Sequence, residues 1–194
     1  MDDGMRVEPI REDEWVVAFA EYLKKKSERN YIMFMIGVYT GLRISDILPL
    51  RVADVVGSHM VLVEKKTKKQ KRIILHPTLK KALNKYIADK KKTELLIPSR
   101  ERTKTGREKP ISRHTALYIL QEAAAAVGYD ERIGTHSLRK TFGFRHYQQY
   151  KDVAELQIIF NHDSQYETLK YIGVMSEKIE QGIVKMKDPK GLLV

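Results

Sequence analysis

Apolar residues recur with helical spacing at both ends of the chain and alternate, as strands do, in a stretch between them. Over 11–27, Trp15, Phe19 and Leu23 stand at i, i+4 and i+8, one stripe of an amphipathic helix. Acidic residues open that segment and lysines close it, which complements the helix dipole. The stretch 30–40 (NYIMFMIGVYT) is apolar on all sides, the pattern of a buried helix, and Gly41 ends it. Ser45 and Asp46 open a short helix over 45–49, stopped near Pro49. From 52 the period changes. VADVV, HMVLVEKKT and KRIILHP alternate and are rich in Val and Ile, predicting a small three-stranded antiparallel sheet. Helices resume over 78–92, with Thr78 as N-cap, and over 112–127, with Ser112 as N-cap and Gly128 just past the end. The polar segment 98–110 between them reads as a loop. Helices over 137–150, 152–160 and about 165–186 complete a mainly α fold with one small sheet.

Composition narrows the class. A chain of 194 residues, 42% hydrophobic, suits a single domain with an ordinary core. No apolar run approaches the roughly 18 residues needed to cross a bilayer. The polar, acidic start does not read as a signal peptide, so the cytoplasm is the expected compartment. Cysteine is absent, which excludes disulfides and thiolate chemistry. Lys and Arg outnumber Asp and Glu by 36 to 25, for a formal charge of +11. The surplus is clustered in KKTKKQKR over 65–72 and in Arg100, Arg102, Lys104, Arg107, Lys109 and Arg113. Two basic loops fit contacts to a polyanion, nucleic acid above all, better than an even surface charge does.

Four short stretches hold residues suited to phosphate chemistry. TGLRISD sets Arg43 at a helix mouth after a glycine turn, where free N–H groups help form an anion pocket, with Asp46 able to hold the guanidinium. Lys66 and its neighbours lie at a hairpin tip, where an ammonium can touch phosphate or donate a proton. His136 and Arg139, at i and i+3, share one helix face, and Thr135 is placed to cap that helix. His162 ends an apolar helix, and Tyr171 follows nine residues later. A phenol with a pKa of about 10 is a poor nucleophile unless cations stabilise its anion. Each stretch alone has an ordinary reading: a surface ion pair, a solubilising turn, a chance HxxR, a tyrosine packed in a core.

In this order, however, the set resembles the tyrosine recombinase (phage integrase) family. TGLRISDIL, the hairpin KKT, THSLRKTF and NHDSQYETLKY carry the resemblance, which spans about residues 10–180. It implies that Arg43, His136 and Arg139 grip the scissile phosphate, and that His162 bonds a non-bridging oxygen. Tyr171 would attack phosphorus, leaving a 3′-phosphotyrosine and a free 5′-hydroxyl. Lys66 would protonate the departing oxygen, with Lys65 and Lys68 as alternatives, and Asp46 would support the first arginine. Lys65, Lys68, Lys69, Lys71, Arg72, Arg100, Arg102, Lys104, Arg107 and Arg113 are expected on DNA. The partner implied is double-stranded DNA, with self-association as a tetramer upon it. No metal is expected, because the arginines supply the charge. No cofactor is expected either, because the phosphotyrosine conserves the bond energy.

Two departures from the family pattern stand out. Asn161 replaces the usual glycine before His162, a substitution suited to a left-handed helix end. The first motif arrives at residue 43, so the whole chain reads as one catalytic domain without the N-terminal DNA-clamping domain. Segment 172–194 is expected either to exchange between protomers or to fold back on its own domain. The alternatives to a recombinase are a non-catalytic DNA-binding accessory protein of the same fold and a relaxing enzyme like the type IB topoisomerases.

Overall fold

The structure is a computed structural model and describes residues 7–63, 70–175 and 183–186. Helices α1 (Asp13–Lys26) and α2 (Glu28–Thr40) pair through the predicted stripe: Phe19 and Leu23 are buried, and Phe19 stacks on Phe34 with ring centroids 5.8 Å apart. As its composition predicts, α2 is buried from Ile32 through Val38. Gly41 ends it at φ 62°, left-handed backbone that costs glycine nothing. The next helix, α3, is a single turn over Ile44–Ile47.

The sheet differs from expectation. VADVV is no strand: Val52–Val55 form a 3₁₀ turn. The carboxylate of Asp54 accepts the Arg51 N–H at 2.8 Å, a local bond that competes with a strand ladder. Val52 and Val55, three apart, then both reach the core, which an alternating strand could not achieve. Strands β1 (His59–Val63) and β2 (Gln70–Ile74) pair antiparallel, from His59 opposite Ile74 to Val63 opposite Gln70. A second hairpin, β3 (Pro98–Arg102) with β4 (Glu108–Pro110), forms where a loop is expected. Its strands are mostly charged and none of their residues is buried, so they carry little apolar alternation to read. Among the described residues, two two-stranded sheets thus replace the three-stranded one.

Helix α4 (Pro77–Ile87) is capped by His76 rather than Thr78, with Pro77 in the first helical position, and ends before the lysine run 90–92. Helix α5 (Arg113–Val127) has the predicted ends: Ser112 Oγ accepts the Thr115 N–H at 2.9 Å, and Gly128 takes φ 74°. Then come α6 (Thr135–Tyr150), α7 (Val153–Phe160) and α8 (Gln165–Tyr171), the last followed by Gly173 at φ 77°. The helix predicted to run on to 186 therefore breaks just after Tyr171.

Helix α6 is central, and its buried residues lie all round it. Leu138 belongs to the main core built with α1, α2, α4 and α5. Phe144 and Tyr147 belong to a second cluster with Leu156, Phe160, Ile172 and Val174, which seats α7 and the turn after α8. Two glycines permit these approaches. A Cβ on Gly37 would lie 2.6 Å from Leu138 Cδ1, and one on Gly143 would lie 2.6 Å from Ile172 Cγ2. Among the described residues, no helix is long and apolar enough to cross a membrane.

Candidate active site

Three helix starts meet at one cavity of about 330 Å³. Arg43, Ile44 and Ser45 come from the start of α3, Arg113 is the first residue of α5, and Thr135, His136 and Arg139 come from the first turns of α6. Helix starts present unpaired N–H groups and positive potential, and here three arginines add full charges. Larger cavities of about 520, 550 and 590 Å³ lie elsewhere, so charge rather than size marks this one. Thr135, read from the sequence as a cap, is the first helical residue. Gly134 precedes it, and the Gly134 N–H donates to Ser137 Oγ at 3.1 Å.

Arg139 organises the back of the cavity. It is 3% exposed, and its guanidinium donates to the carbonyls of Gly41 and Phe160, the latter at 2.9 Å. These carbonyls lie just past the end of α2 and at the end of α7, where helix dipoles favour a cation. The guanidinium also sits 4.2 Å from the Phe160 ring centroid, a cation–π contact. One buried side chain therefore ties TGLR to the segment that carries His162. Lys71 of β2 makes a related contact, its Nζ donating to the Ile159 carbonyl at 2.8 Å. Asp46, named from the sequence as a support for Arg43, is buried one turn away in α3.

Tyr171 reaches this cluster from the end of α8. Its hydroxyl lies 3.3 Å from His136 Nδ1, within the electrostatic influence of Arg139. Its ring stands edge-on to Phe160 and to His162, at 5.7 and 5.2 Å between centroids. His162 Nδ1 in turn lies 3.1 Å from Thr168 Oγ1, so α8 orients the imidazole that α7 delivers. Asn161 makes that delivery possible: it takes φ 51°, ψ 53°, and turns the chain sharply between α7 and His162. One contributor has no sequence signal. Lys140 is 4% exposed, donates to the Val7 carbonyl at 2.7 Å and lies 5.5 Å from the Tyr171 ring centroid.

The titration behaviour follows from this crowding. Burial pushes the Tyr171 phenol above its ordinary value, while Arg139 and Arg43 pull it back down. His136 is lowered by dense surroundings first, then by Arg113, Arg139, Lys140 and Arg43. His162 is lowered mainly by burial, with Arg139 and Arg43 acting the same way against Glu167 and Asp163. The site therefore holds two neutral imidazoles beside a protonated phenol, ringed by cations.

Among the described residues of the two basic loops and their flanks, Arg113 is the one that lines this cavity. Arg100, Arg102, Lys104 and Arg107 are exposed along the second hairpin, and exposed Arg72 lies beside His59, 3.3 Å from its Nδ1. Lys65, Lys66, Lys68 and Lys69 lie outside the described residues.

The sequence model of the phage integrase family matches residues 10–178, nearly all of the chain. The chain belongs to that family. It is 48% identical over 169 residues to a probable integrase/recombinase, YoeC, of Bacillus subtilis, covering 87% of this chain and 90% of the relative. It spans about half of a longer relative: a tyrosine recombinase XerC of Thermodesulfovibrio yellowstonii is 26% identical over 90% of this chain and 56% of its own length. In three dimensions, XerA recombinase superimposes with a TM-score of 0.69 at 18% identity, over 94% of this chain and 67% of that one. Lambda integrase bound to DNA gives 0.69 at 17% identity, over 97% and 66%. At those identities the likeness is one of fold, and it places this mainly helical domain among integrase catalytic folds.

Proposed function

We propose that this chain cuts and rejoins DNA at specific sites through a covalent bond between Tyr171 and phosphorus. The observation that carries the proposal is the contact between Tyr171 and His136, at 3.3 Å, beside a cavity lined by Arg43, Arg113 and Arg139. A phosphodiester in that cavity would have guanidinium groups on its non-bridging oxygens, where charge grows in the transition state. The phenol must lose its proton as its oxygen bonds to phosphorus. A neutral His136 at hydrogen-bond distance can take it, and its lowered pKa keeps it neutral near pH 7. The bond from phosphorus to the 5′-oxygen breaks as the new bond forms, and the departing oxygen needs a proton. Lys66 keeps the role of donor that the sequence pattern gives it. His162, edge-on to the Tyr171 ring, keeps the role of bonding a non-bridging oxygen, and Asp46 that of supporting Arg43.

Reversal gives the rejoining step: a 5′-hydroxyl attacks the phosphotyrosine and Tyr171 leaves as the phenol. No nucleotide is consumed, because the phosphate ester is exchanged rather than hydrolysed. Relatives named as integrases and recombinases support strand exchange over relaxation alone. A dimer of lambda integrase bound to a core site is among the similar structures, and self-association on DNA as a tetramer belongs to the same reading. Every side-chain type that the sequence pattern calls for is present in the chain, which argues against a non-catalytic accessory role. The proposal is tested by incubating the chain with a library of nicked duplexes and isolating SDS-stable adducts. Adducts enriched in one DNA sequence are expected; none from any duplex would overturn it.

A further inference from the structure

Helix α5 begins between two cavities. Its first residue, Arg113, lines the site just described. Ser112, Thr115 and Ile119, at i, i+3 and i+7, share another face and line a cavity of about 550 Å³. Arg29 of α2, Arg100 of β3 and Lys109 of β4 close this second cavity, and Glu101 is the carboxylate in its wall. Glu101 is taken by Lys109, whose Nζ donates to it at 2.8 Å. The two arginines have no such partner: among the described residues neither Arg29 nor Arg100 forms an ion pair.

The setting of Arg29 is costly. Its guanidinium is half-buried and bonded only to neutral groups, the Pro98 carbonyl at 2.7 Å and Asn30 Oδ1 at 2.9 and 3.0 Å. Burial pushes its pKa below the ordinary value, with Tyr86 acting against the shift and the nearby charge of Arg100 adding to it. A cation taken out of water without a counter-charge is destabilising, and an anion seated beside it relieves that cost. Tying α2 to β3 explains the Pro98 bond of Arg29. It does not explain a second arginine aimed at the same space, since Arg100 is exposed and the hairpin would stand without it.

We infer that this second cavity seats another phosphate of the DNA backbone, with Arg29 and Arg100 as its ligands and the start of α5 as its rear wall. The inference rests on the proposed action on DNA and extends it. One strand is cut at the first cavity while a phosphate elsewhere on the duplex is held at the second. Lys109 and Glu101 neutralise each other at its edge, so the two arginines supply the net charge that receives the phosphate.

The test is duplex binding by fluorescence anisotropy, using DNA of arbitrary sequence from about 50 to 200 mM salt. Arg29→Ala and Arg100→Ala are each expected to weaken binding several-fold and to lower the salt slope by about 0.9, the value for one lost phosphate contact. Arg100→Ala removes an exposed side chain that makes no hydrogen bond or ion pair among the described residues, so it reports even if Arg29→Ala misfolds. Wild-type affinity and slope in Arg100→Ala would overturn the second seat and leave the active-site reading standing. Failure of the wild-type chain to bind any duplex would overturn both.

Discussion

Gly143→Ala separates the placing of the nucleophile from the stability of the fold. Gly143 lies on α6, where a Cβ would come within 2.6 Å of Ile172 Cγ2 and 2.7 Å of two carbons of the Phe160 ring. Comfortable carbon–carbon contacts are about 3.5–4.0 Å, so these neighbours must retreat by roughly 1 Å. Both are fully buried, and Ile172 is joined directly to Tyr171. Overpacking of this kind costs about 1–3 kcal/mol, while replacing glycine inside a helix returns about 1 kcal/mol of propensity. The net loss is therefore about 0–2 kcal/mol, and the domain stays folded. Catalysis is more sensitive: a displacement of about 1 Å at a reacting group costs roughly 100-fold. Single-turnover adduct formation should fall by about that factor, with duplex affinity unchanged and a small drop in melting temperature. If the variant melts higher than wild type and cleaves at the wild-type rate, Tyr171 does not depend on this contact and the reasoning fails.

Other predictions follow from the same contacts. His136 and His162 are both held neutral, so the unfolded chain binds protons first as the pH drops. Their contribution to stability is complete above about pH 6.5 and is lost as the pH falls through the lowered folded-state values. Thermal melts should thus lose stability from pH 7 to 5 more steeply in wild type than in a His136→Gln, His162→Gln double variant, and equal slopes would contradict the crowding of these imidazoles by cations and packed groups. Asn161 is left-handed, so Asn161→Val should lower stability by about 1–2 kcal/mol and Asn161→Gly by almost nothing, as read by urea unfolding. Arg139→Met leaves the buried carbonyls of Gly41 and Phe160 without their donor, which should cost about 2 kcal/mol or more besides abolishing cleavage. Unaltered stability in that variant would mean the guanidinium serves only the phosphate.

Much of the candidate site's geometry is legible because its residues sit at helix ends, where local chemistry is written in short patterns. Gly41, Ser112, Gly128 and Asn161 all punctuate the chain as their residue types dictate. Arg43, His136, Arg139, His162 and Tyr171 then come together because those ends converge. The sheet was less legible. VADVV looks like a strand by composition, yet valines three apart serve a 3₁₀ turn equally well once Asp54 bonds the backbone. The second hairpin hid behind charge, because exposed strands need no apolar alternation. Lys140 and Arg29 were invisible for a different reason. Their burial depends on carbonyls distant in sequence, Val7 and Pro98, and no local pattern reveals a partner more than sixty residues away.

The most direct test of the central claim is peptide mapping of the covalent adduct by mass spectrometry. DNA trapped on the wild-type chain should leave, after nuclease digestion, a nucleotide 3′-phosphate linked to the Tyr171 side chain, and Tyr171→Phe should bind duplex but yield no adduct. An adduct that persists in Tyr171→Phe, or a nucleotide found instead on Tyr147 or exposed Tyr166, would contradict the account.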